Sequence, residues 1–324
     1  MCLLCYRWLD RWEPEPTRLT VMALIWGGSA GVIFSFLVEM AIPASEFVTM
    51  AIVAPLAEEL AKASVFILVA TGARKLELTS LTDHIFYAGI CALGFAFVEN
   101  LGYFALSSSA GEFVVMALVR TGFGVFGHPL YTTATAVGIW AWRTKGGLWK
   151  AAVGYIAACL LHGLWNGGPT LLAGSLGLDD TGQLAAMILV YIVLFVPVFI
   201  GTIIMTTRNR RNEYEAVRSQ LPLMVEAGLV TPAEADMIAD PRKRRAILAD
   251  SGKYGRVAKR NQKRTITAAT EAALAQHRIA AGEGGPELIK RRDQLSEWLR
   301  SRPDKLGQLP LMPQFPPIQP PATW

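Results

Sequence analysis

Residues 47–70 read FVTMAIVAPLAEELAKASVFILVA, a nearly continuous apolar stretch with Glu58, Glu59 and Lys62 near its middle. A helix needs about 20 mainly apolar residues to cross the hydrocarbon core of a bilayer, so this stretch is long enough to span a membrane. Strands of a membrane barrel would instead alternate apolar and polar residues, and this stretch does not. It therefore predicts a transmembrane helix that carries charged groups inside the bilayer.

Five further stretches of similar length and composition follow the same pattern, and they are 20–42, 85–107, 113–142, 151–174 and 184–207. The predicted fold class is therefore all-α, a polytopic membrane helix bundle of about six spans. Of the 324 residues, 52% are apolar and only 18% are charged. This composition excludes a single soluble domain, a disulfide-rich secreted chain and a mostly disordered protein.

The charge is distributed unevenly along the chain. Residues 1–207 contain 10 Lys and Arg against 13 Asp and Glu, a net charge of −3, whereas residues 208–324 contain 21 against 13, a net charge of +8. We therefore predict a membrane domain at residues 20–207 and a basic tail after it. Residues 208–302 have the pattern of short helices, and the seven prolines of residues 303–324 predict a disordered end.

The connections between the predicted spans also differ in charge. The basic ones carry Arg7, Arg11, Arg18, Arg74, Lys75, Arg143, Lys145, Lys150, Arg208, Arg210 and Arg211. The other three carry only Glu46, Glu112, Asp179 and Asp180. All basic connections fall on one side of the membrane if six spans alternate. The positive-inside rule then predicts a multi-pass protein of the cell membrane with both termini, residues 1–19 included, in the cytoplasm.

Anionic lipid head groups are the partner that the basic tail predicts on this side of the membrane. Nucleic acid is less favoured, because the tail lacks a metal-finger spacing and an aromatic-rich surface.

Ionisable side chains in mid-membrane cost at least about 2.5 kcal/mol each on insertion scales, so they indicate a partner or a function. Glu58 and Lys62 stand i, i+4 on one helix face and are expected to pair, whereas Glu59 is rotated by about 100° and is expected to point elsewhere. Three other spans carry polar residues at a similar depth, and these are Glu99, Asn100, His128, His162 and Asn166. They could be interhelical hydrogen-bonding groups, but their number and matched depth favour one shared site.

Residues near these groups carry further expectations. Pro129 and the glycines before it predict a bent or opened helix beside His128. Arg120 is expected to extend towards the membrane interface rather than to pair with a carboxylate, and His84 and His277 are expected at the solvated surface.

Two chemistries fit this set of residues. A buried glutamate could act as the general base for water, with His162 and Asn166, one helical turn apart, aimed at a developing oxyanion. Alternatively, a metal ion could be held by His128, His162 and a glutamate, for which Glu99 is our candidate, with another glutamate as base. The sequence does not choose between them.

The motifs Glu58-Glu59-x-x-Lys62, Phe95-x-x-x-Glu99-Asn100, Arg120 with Gly127-His128, and His162-x-x-x-Asn166 occur in this order, each in its own span. This combination resembles the PrsW family of bacterial intramembrane proteases, which belongs to a larger group with the CAAX prenyl endopeptidases and bacteriocin-processing relatives. The resemblance covers residues 47–166 and does not extend to the tail.

The resemblance implies an intramembrane endopeptidase that cleaves a membrane-anchored protein, and the family's best-known substrate is an anti-sigma factor. It implies a catalytic or metal-binding set of Glu58, Glu59, Glu99, His128 and His162, with Asn166 as an oxyanion donor. The family is classed as metalloproteases, for which zinc is the expected metal, while relatives in the wider group use a glutamate and a histidine without metal. A proton-coupled transporter and a non-catalytic membrane scaffold are the alternatives that the polar residues leave open.

Overall fold

The computed structural model describes Tyr6 and residues 15–70, 78–124, 126–282 and 285–302. These residues form helices and turns without a strand, which confirms the all-α prediction. The chain divides into two compact units, Met1–Arg210 and Arg211–Trp324, and this boundary lies close to the change of charge at residue 208. The proline-rich end and most of the predicted cytoplasmic N-terminus lie outside the described residues.

The first unit is a bundle of helices, several of which contain a π-helical turn. In chain order the helices are α1 (Thr17–Ala41, with a π turn at Gly27–Gly31), α2 (46–63, with a π turn at Thr49–Val53), α3 (Val65–Val69), α4 (Leu81–Ala105), α5 (Ala110–Leu118, continued by the π turn Val119–Phe123), α6 (Gly127–Lys145), α7 (Trp149–Leu176) and α8 (Asp180–Val190, the π turn Tyr191–Phe195 and Val196–Glu226). The part of α8 after Arg210 belongs to the second unit.

Four helices are long and apolar enough to cross a membrane, namely Thr17–Ala41, Leu81–Ala105, Ala110–Lys145 and Gly182–Glu226. They correspond to the first, third, fourth and sixth predicted spans. The second predicted span is divided at Ser64, between α2 and α3, and the fifth forms the 28-residue α7. The break at Ser64 leaves the second span without one helix long enough to cross a membrane, and polar residues such as His162 and Asn166 interrupt the apolar run of the fifth.

Many large apolar side chains of the first unit point outward. Ile25, Ile67, Phe97, Leu118 and Leu160 are each between 60 and 71% exposed. An apolar surface of this extent is typical of contact with lipid rather than with water.

His84 lies in the interior, so the prediction of a solvated histidine was wrong. A capping box of Ser80 and Asp83 starts α4 at Leu81, which places His84 in the first turn of a buried helix. Its side chain is 1% exposed, and its ring stacks on Phe66 with 5.6 Å between centroids. His277, in the second unit, is exposed as predicted.

The helix α7 approaches its neighbours at glycines. A Cβ atom on Gly163 would lie 2.4 Å from the carbonyl oxygen of Ala51 in α2, and one on Gly154 would lie 2.5 Å from that of Ala134 in α6. Helix backbones therefore touch at both places, as small residues allow inside membranes. This close approach holds α7 against α2 beside His162.

The second unit has a core of its own. After the end of α8 come α9 (Pro232–Ala239), α10 (Pro241–Ser251), α11 (Arg256–Ala280) and α12 (Pro286–Ser301). The buried apolar residues include Val217, Leu221, Met237, Ile238, Ile266 and Leu299. Thr231 and Glu234 form a capping box at α9, and Arg302 donates a hydrogen bond to Glu234.

We expect Gly163→Val to lower the midpoint of thermal unfolding of the full chain in detergent, because the added side chain must separate α7 from α2. Overpacking of this kind costs about 1–3 kcal/mol. The matched control is Gly174→Val on the same helix, where a Cβ atom meets no described atom within 4 Å. Equal unfolding midpoints for the two variants would show that the contact at Gly163 is unimportant.

Candidate functional site

Four helices of the first unit bring their polar side chains together in its interior. The group contains Glu58, Glu59 and Lys62 from α2, Glu99 from α4, His128 from α6 and His162 from α7. All of these side chains are buried except that of Glu99, which is 19% exposed. The structure thus unites residues that lie up to 104 positions apart in the chain.

Lys62 lies at the centre of this group. Its Nζ atom is 3.0 Å from Glu58 Oε2, 3.0 Å from Glu59 Oε1 and 2.8 Å from His128 Nδ1. The predicted Glu58–Lys62 pair is present, but the expectation that Glu59 points elsewhere was wrong. Residues at i, i+3 are also neighbours on a helix, so one ammonium group reaches both carboxylates.

Each histidine of the group is in hydrogen-bond contact with a different carboxylate. His162 Nδ1 lies 3.1 Å from Glu59 Oε1, and His128 Nε2 lies 2.6 Å from Glu99 Oε2. A carboxylate accepts the N–H of a neutral imidazole, so these contacts assign the protons to His162 Nδ1 and His128 Nε2. The other ring nitrogen of each histidine then carries a lone pair.

The two lone pairs converge on Glu58. Glu58 Oε2 is 3.8 Å from His128 Nδ1 and 3.7 Å from His162 Nε2, and the three ligand atoms lie within 4.8 Å of one another. Two imidazole nitrogens and one carboxylate oxygen are a set that binds catalytic zinc and leaves a coordination position open. Carboxylates behind the histidines are the usual support of such ligands. The residues therefore fit a metal ion, although Lys62 Nζ contacts two of the same atoms and would compete with it.

Glu99 occupies a different position from the one expected of a metal ligand, because its carboxylate binds two other groups. Besides His128, it pairs with Arg120 across 2.7 Å, and Arg120 Nε also donates to Asn100 Oδ1 at 2.6 Å. Arg120 therefore pairs inside the bundle rather than extending to the interface, which corrects the prediction. The side chains of Arg120 and Glu99 are only 15% and 19% exposed, and ionisable groups inside a bilayer are usually paired with one another.

Asn166 is near the group but does not share a target with His162. Its Nδ2 atom donates to the carbonyl oxygen of Met50 at 3.0 Å, across the contact between α7 and α2. It lines a cavity of about 270 Å³ together with His128. The amide nitrogen is thus engaged by the backbone in this structure.

The helix beside His128 is opened, as predicted. The π turn Val119–Phe123 ends before Gly124, and α6 begins again at Gly127. Pro129 lies in the first turn of α6, where a missing N–H group leaves no helical hydrogen bond unmade.

Sequence reasoning missed three residues at the site. Glu39 of α1 interacts electrostatically with Glu58, Glu99 and His162, and its position inside an apolar span could have drawn attention to it. Thr132 donates its hydroxyl hydrogen to Glu59 Oε2 at 2.8 Å, and Tyr131 stacks on His162 with 4.9 Å between ring centroids. Thr and Tyr are common in helices, so the sequence gives no signal for either of them.

Comparison with known families agrees with this geometry. The family model described as PrsW family intramembrane metalloprotease matches residues 15–202, more than half of the chain. No curated protein and no solved structure matches the chain.

We expect Glu59→Gln to weaken zinc binding about 10- to 100-fold, because the neutral amide supports His162 less well than the carboxylate does. Zinc affinity of the full chain in detergent, measured by isothermal titration calorimetry, tests this. Glu112→Gln is the control, since Glu112 is exposed on α5 and lies outside the group. Unchanged affinity in Glu59→Gln would remove Glu59 from the support of the ligands.

Proposed function

The chain belongs to the PrsW family of intramembrane metalloproteases, and from this premise we propose that it hydrolyses a peptide bond of a membrane-anchored protein at Glu58, His128 and His162. The chain is therefore a membrane protein and a protease. The observation that carries the assignment of the site is the convergence of two histidine lone pairs on the Glu58 carboxylate. We propose an anti-sigma factor as the substrate, as in the family's best-known case.

The side chains behind the ligands hold the site in its reactive state. A zinc ion bound by Glu58, His128 and His162 would supply Lewis acidity towards water and the substrate carbonyl. Glu59 and Glu99 fix the tautomers of the two histidines. Burial of the group excludes bulk water, which strengthens every one of these electrostatic contacts.

Glu39 is our candidate for the group that accepts the proton of the attacking water. Glu59 and Glu99 are each held by a histidine and by a cationic side chain, which makes them poor bases. Glu39 is half-buried, lies within electrostatic range of Glu58, Glu99 and His162, and has no hydrogen bond to another residue in the described part of the chain. A carboxylate without such partners is better suited to take up a proton.

A metal-free version is the second candidate. Lys62 Nζ contacts Glu58 Oε2 and His128 Nδ1, two of the three ligand atoms, so its ammonium group stands where a metal ion would otherwise be held. In that version Glu58 and His128 activate water directly. The two versions use the same residues and differ in their response to chelation.

Glu58→Gln and Glu39→Gln should have different effects on cleavage of a synthetic transmembrane peptide by the full chain. Glu58→Gln removes a ligand and should abolish both zinc binding and cleavage. Glu39→Gln should slow cleavage about 10²- to 10⁴-fold, the range for a general base, while zinc remains bound. Glu112→Gln serves as control. Cleavage by the unchanged chain after a chelator has removed zinc would exclude the metal version. Full activity of Glu39→Gln would exclude Glu39 as the base.

We further propose six spans with both termini in the cytoplasm. The support is the charge of the connections, with Arg143 and Lys145 at the end of α6 and Lys150 at the start of α7, but only Glu112 near the start of α5. In intact cells, a membrane-impermeant maleimide should label Ser109→Cys, whereas Thr144→Cys should react only after lysis. The reverse pattern would invert the topology.

Anionic lipid is our proposed partner for α11 and the turn before it. Residues 252–270 contain six Lys and Arg and no Asp or Glu. Tyr254 and Val257 are 65% and 73% exposed beside them, and cations next to exposed apolar groups are typical of a membrane surface.

The basic cluster at residues 242–245 presents less positive charge on the surface than its sequence indicates. Arg244 is buried and donates to the carbonyl oxygen of Ile238, and burial lowers the pKa of its guanidinium to about 10.

In nanodiscs, residues 253–264 of the full chain should exchange amide hydrogens more slowly with anionic than with zwitterionic lipid. Lys259→Gln combined with Lys263→Gln should reduce the difference, and Arg300→Gln, an exposed cation of α12, should not. Protection by an oligonucleotide but not by anionic lipid would favour the nucleic-acid partner instead.

A further inference from the structure

Two adjoining cavities lie beside His128. The polar cavity, about 270 Å³, is lined by Asn100, Arg120, His128 and Asn166 among others. The aromatic cavity, about 420 Å³, is lined mainly by Phe126, Tyr131, Trp165, Tyr191, Phe195 and Phe199. Thr121, Gly127, Tyr131 and Trp165 line both cavities, so the aromatic cavity adjoins the space at the catalytic group.

Tyr131 carries an unpaired hydroxyl group where the cavities adjoin. Its side chain is 1% exposed, and its hydroxyl oxygen has no hydrogen-bond partner among the residues that the structure describes. The ring lies against both histidines, 4.9 Å from the centroid of His162 and 5.8 Å from that of His128. A buried polar group without a partner is unfavourable, so this hydroxyl indicates a partner that arrives with a ligand.

Glycines leave one wall of the aromatic cavity without side chains. Gly122 lines this cavity, and a Cβ atom built on it meets no described atom within 4 Å. A Cβ atom on Gly127 would lie 2.7 Å from the Tyr131 hydroxyl oxygen, so a side chain there would press on the hydroxyl. The absence of both side chains keeps space open beside Tyr131.

We infer that the aromatic cavity receives a bulky apolar side chain of the substrate, next to the scissile bond, and that the Tyr131 hydroxyl donates a hydrogen bond to a backbone carbonyl of the same segment. This inference rests on the proposed protease function. A helical segment of the substrate must unwind before one of its peptide bonds can be attacked. The backbone N–H and C=O groups that are freed then need hydrogen-bond partners within the bilayer. Tyr131 supplies one such partner, and the aromatic lining suits a phenylalanine or leucine side chain.

A photoreactive probe tests the cavity without relying on cleavage. The probe is a lysine-flanked leucine-alanine transmembrane peptide that carries one benzophenone side chain, and the protein is the full chain in detergent. We expect cross-links to residues of the aromatic cavity and at least a 10-fold loss of them in Gly122→Leu, which fills the space. Gly201→Leu is the matched control, because its Cβ atom also meets no described atom within 4 Å and it lines neither cavity.

Tyr131→Phe tests the hydroxyl, because it removes only that group. With the same peptide carrying phenylalanine in place of benzophenone, we expect kcat to fall at least 10-fold while the unfolding midpoint stays the same or rises. A fall in stability together with unchanged kcat would assign the hydroxyl a structural role and overturn its contact with substrate.

The outcomes separate this inference from the protease assignment. Cross-links at the cavity without cleavage of any peptide would support the cavity and contradict the protease function. Cleavage without cross-links at the cavity, or cross-links that persist in Gly122→Leu, would overturn the inference and leave the protease function intact.

Discussion

Charge pairing in a medium that solvates charge poorly is the constraint on which this structure depends. With both histidines neutral, the carboxylates of Glu58, Glu59 and Glu99 face the cations of Lys62 and Arg120. Three negative charges against two positive ones leave −1, and Glu39, when ionised, makes it −2. Such a group is stable inside a bilayer only if its members touch or if a further cation joins them. A divalent ion would supply the missing charge.

The packing of the helices follows from this constraint. Charged side chains from α2, α4, α6 and α7 can meet only if the helices approach closely, and Gly154 and Gly163 allow α7 to do so. The polar contacts then fix the rotation of each helix, because a helix turned by one residue would carry its charge into lipid. Packing and charge pairing therefore support each other.

In the mechanism that we propose, some carboxylates of this group bind the metal and others support its histidine ligands. Glu59 and Glu99 each contact the ring nitrogen that carries the proton, whereas Glu58 lies near the other nitrogen of both histidines. Two adjacent glutamates thus have different contacts, which their sequence positions alone do not reveal. The opened helix before His128 adjoins a cavity lined by glycines and aromatic residues, and we propose that this cavity takes an apolar side chain of the substrate.

The sequence by itself determined that the chain is a helical membrane protein and that Glu58, Glu59, Lys62, Glu99, Arg120, His128 and His162 are its unusual residues. Apolar length and mid-membrane charge are local properties, so they can be read without a structure. The order of the motifs likewise indicated the family.

Only the tertiary structure decided which atoms meet. It buried His84, paired Arg120 with Glu99, joined Lys62 to both adjacent glutamates and stacked Tyr131 on His162. The reason is that helix periodicity gives the face on which a side chain lies, but the partner on that face depends on how separate helices cross, and spacing along one chain does not contain that information.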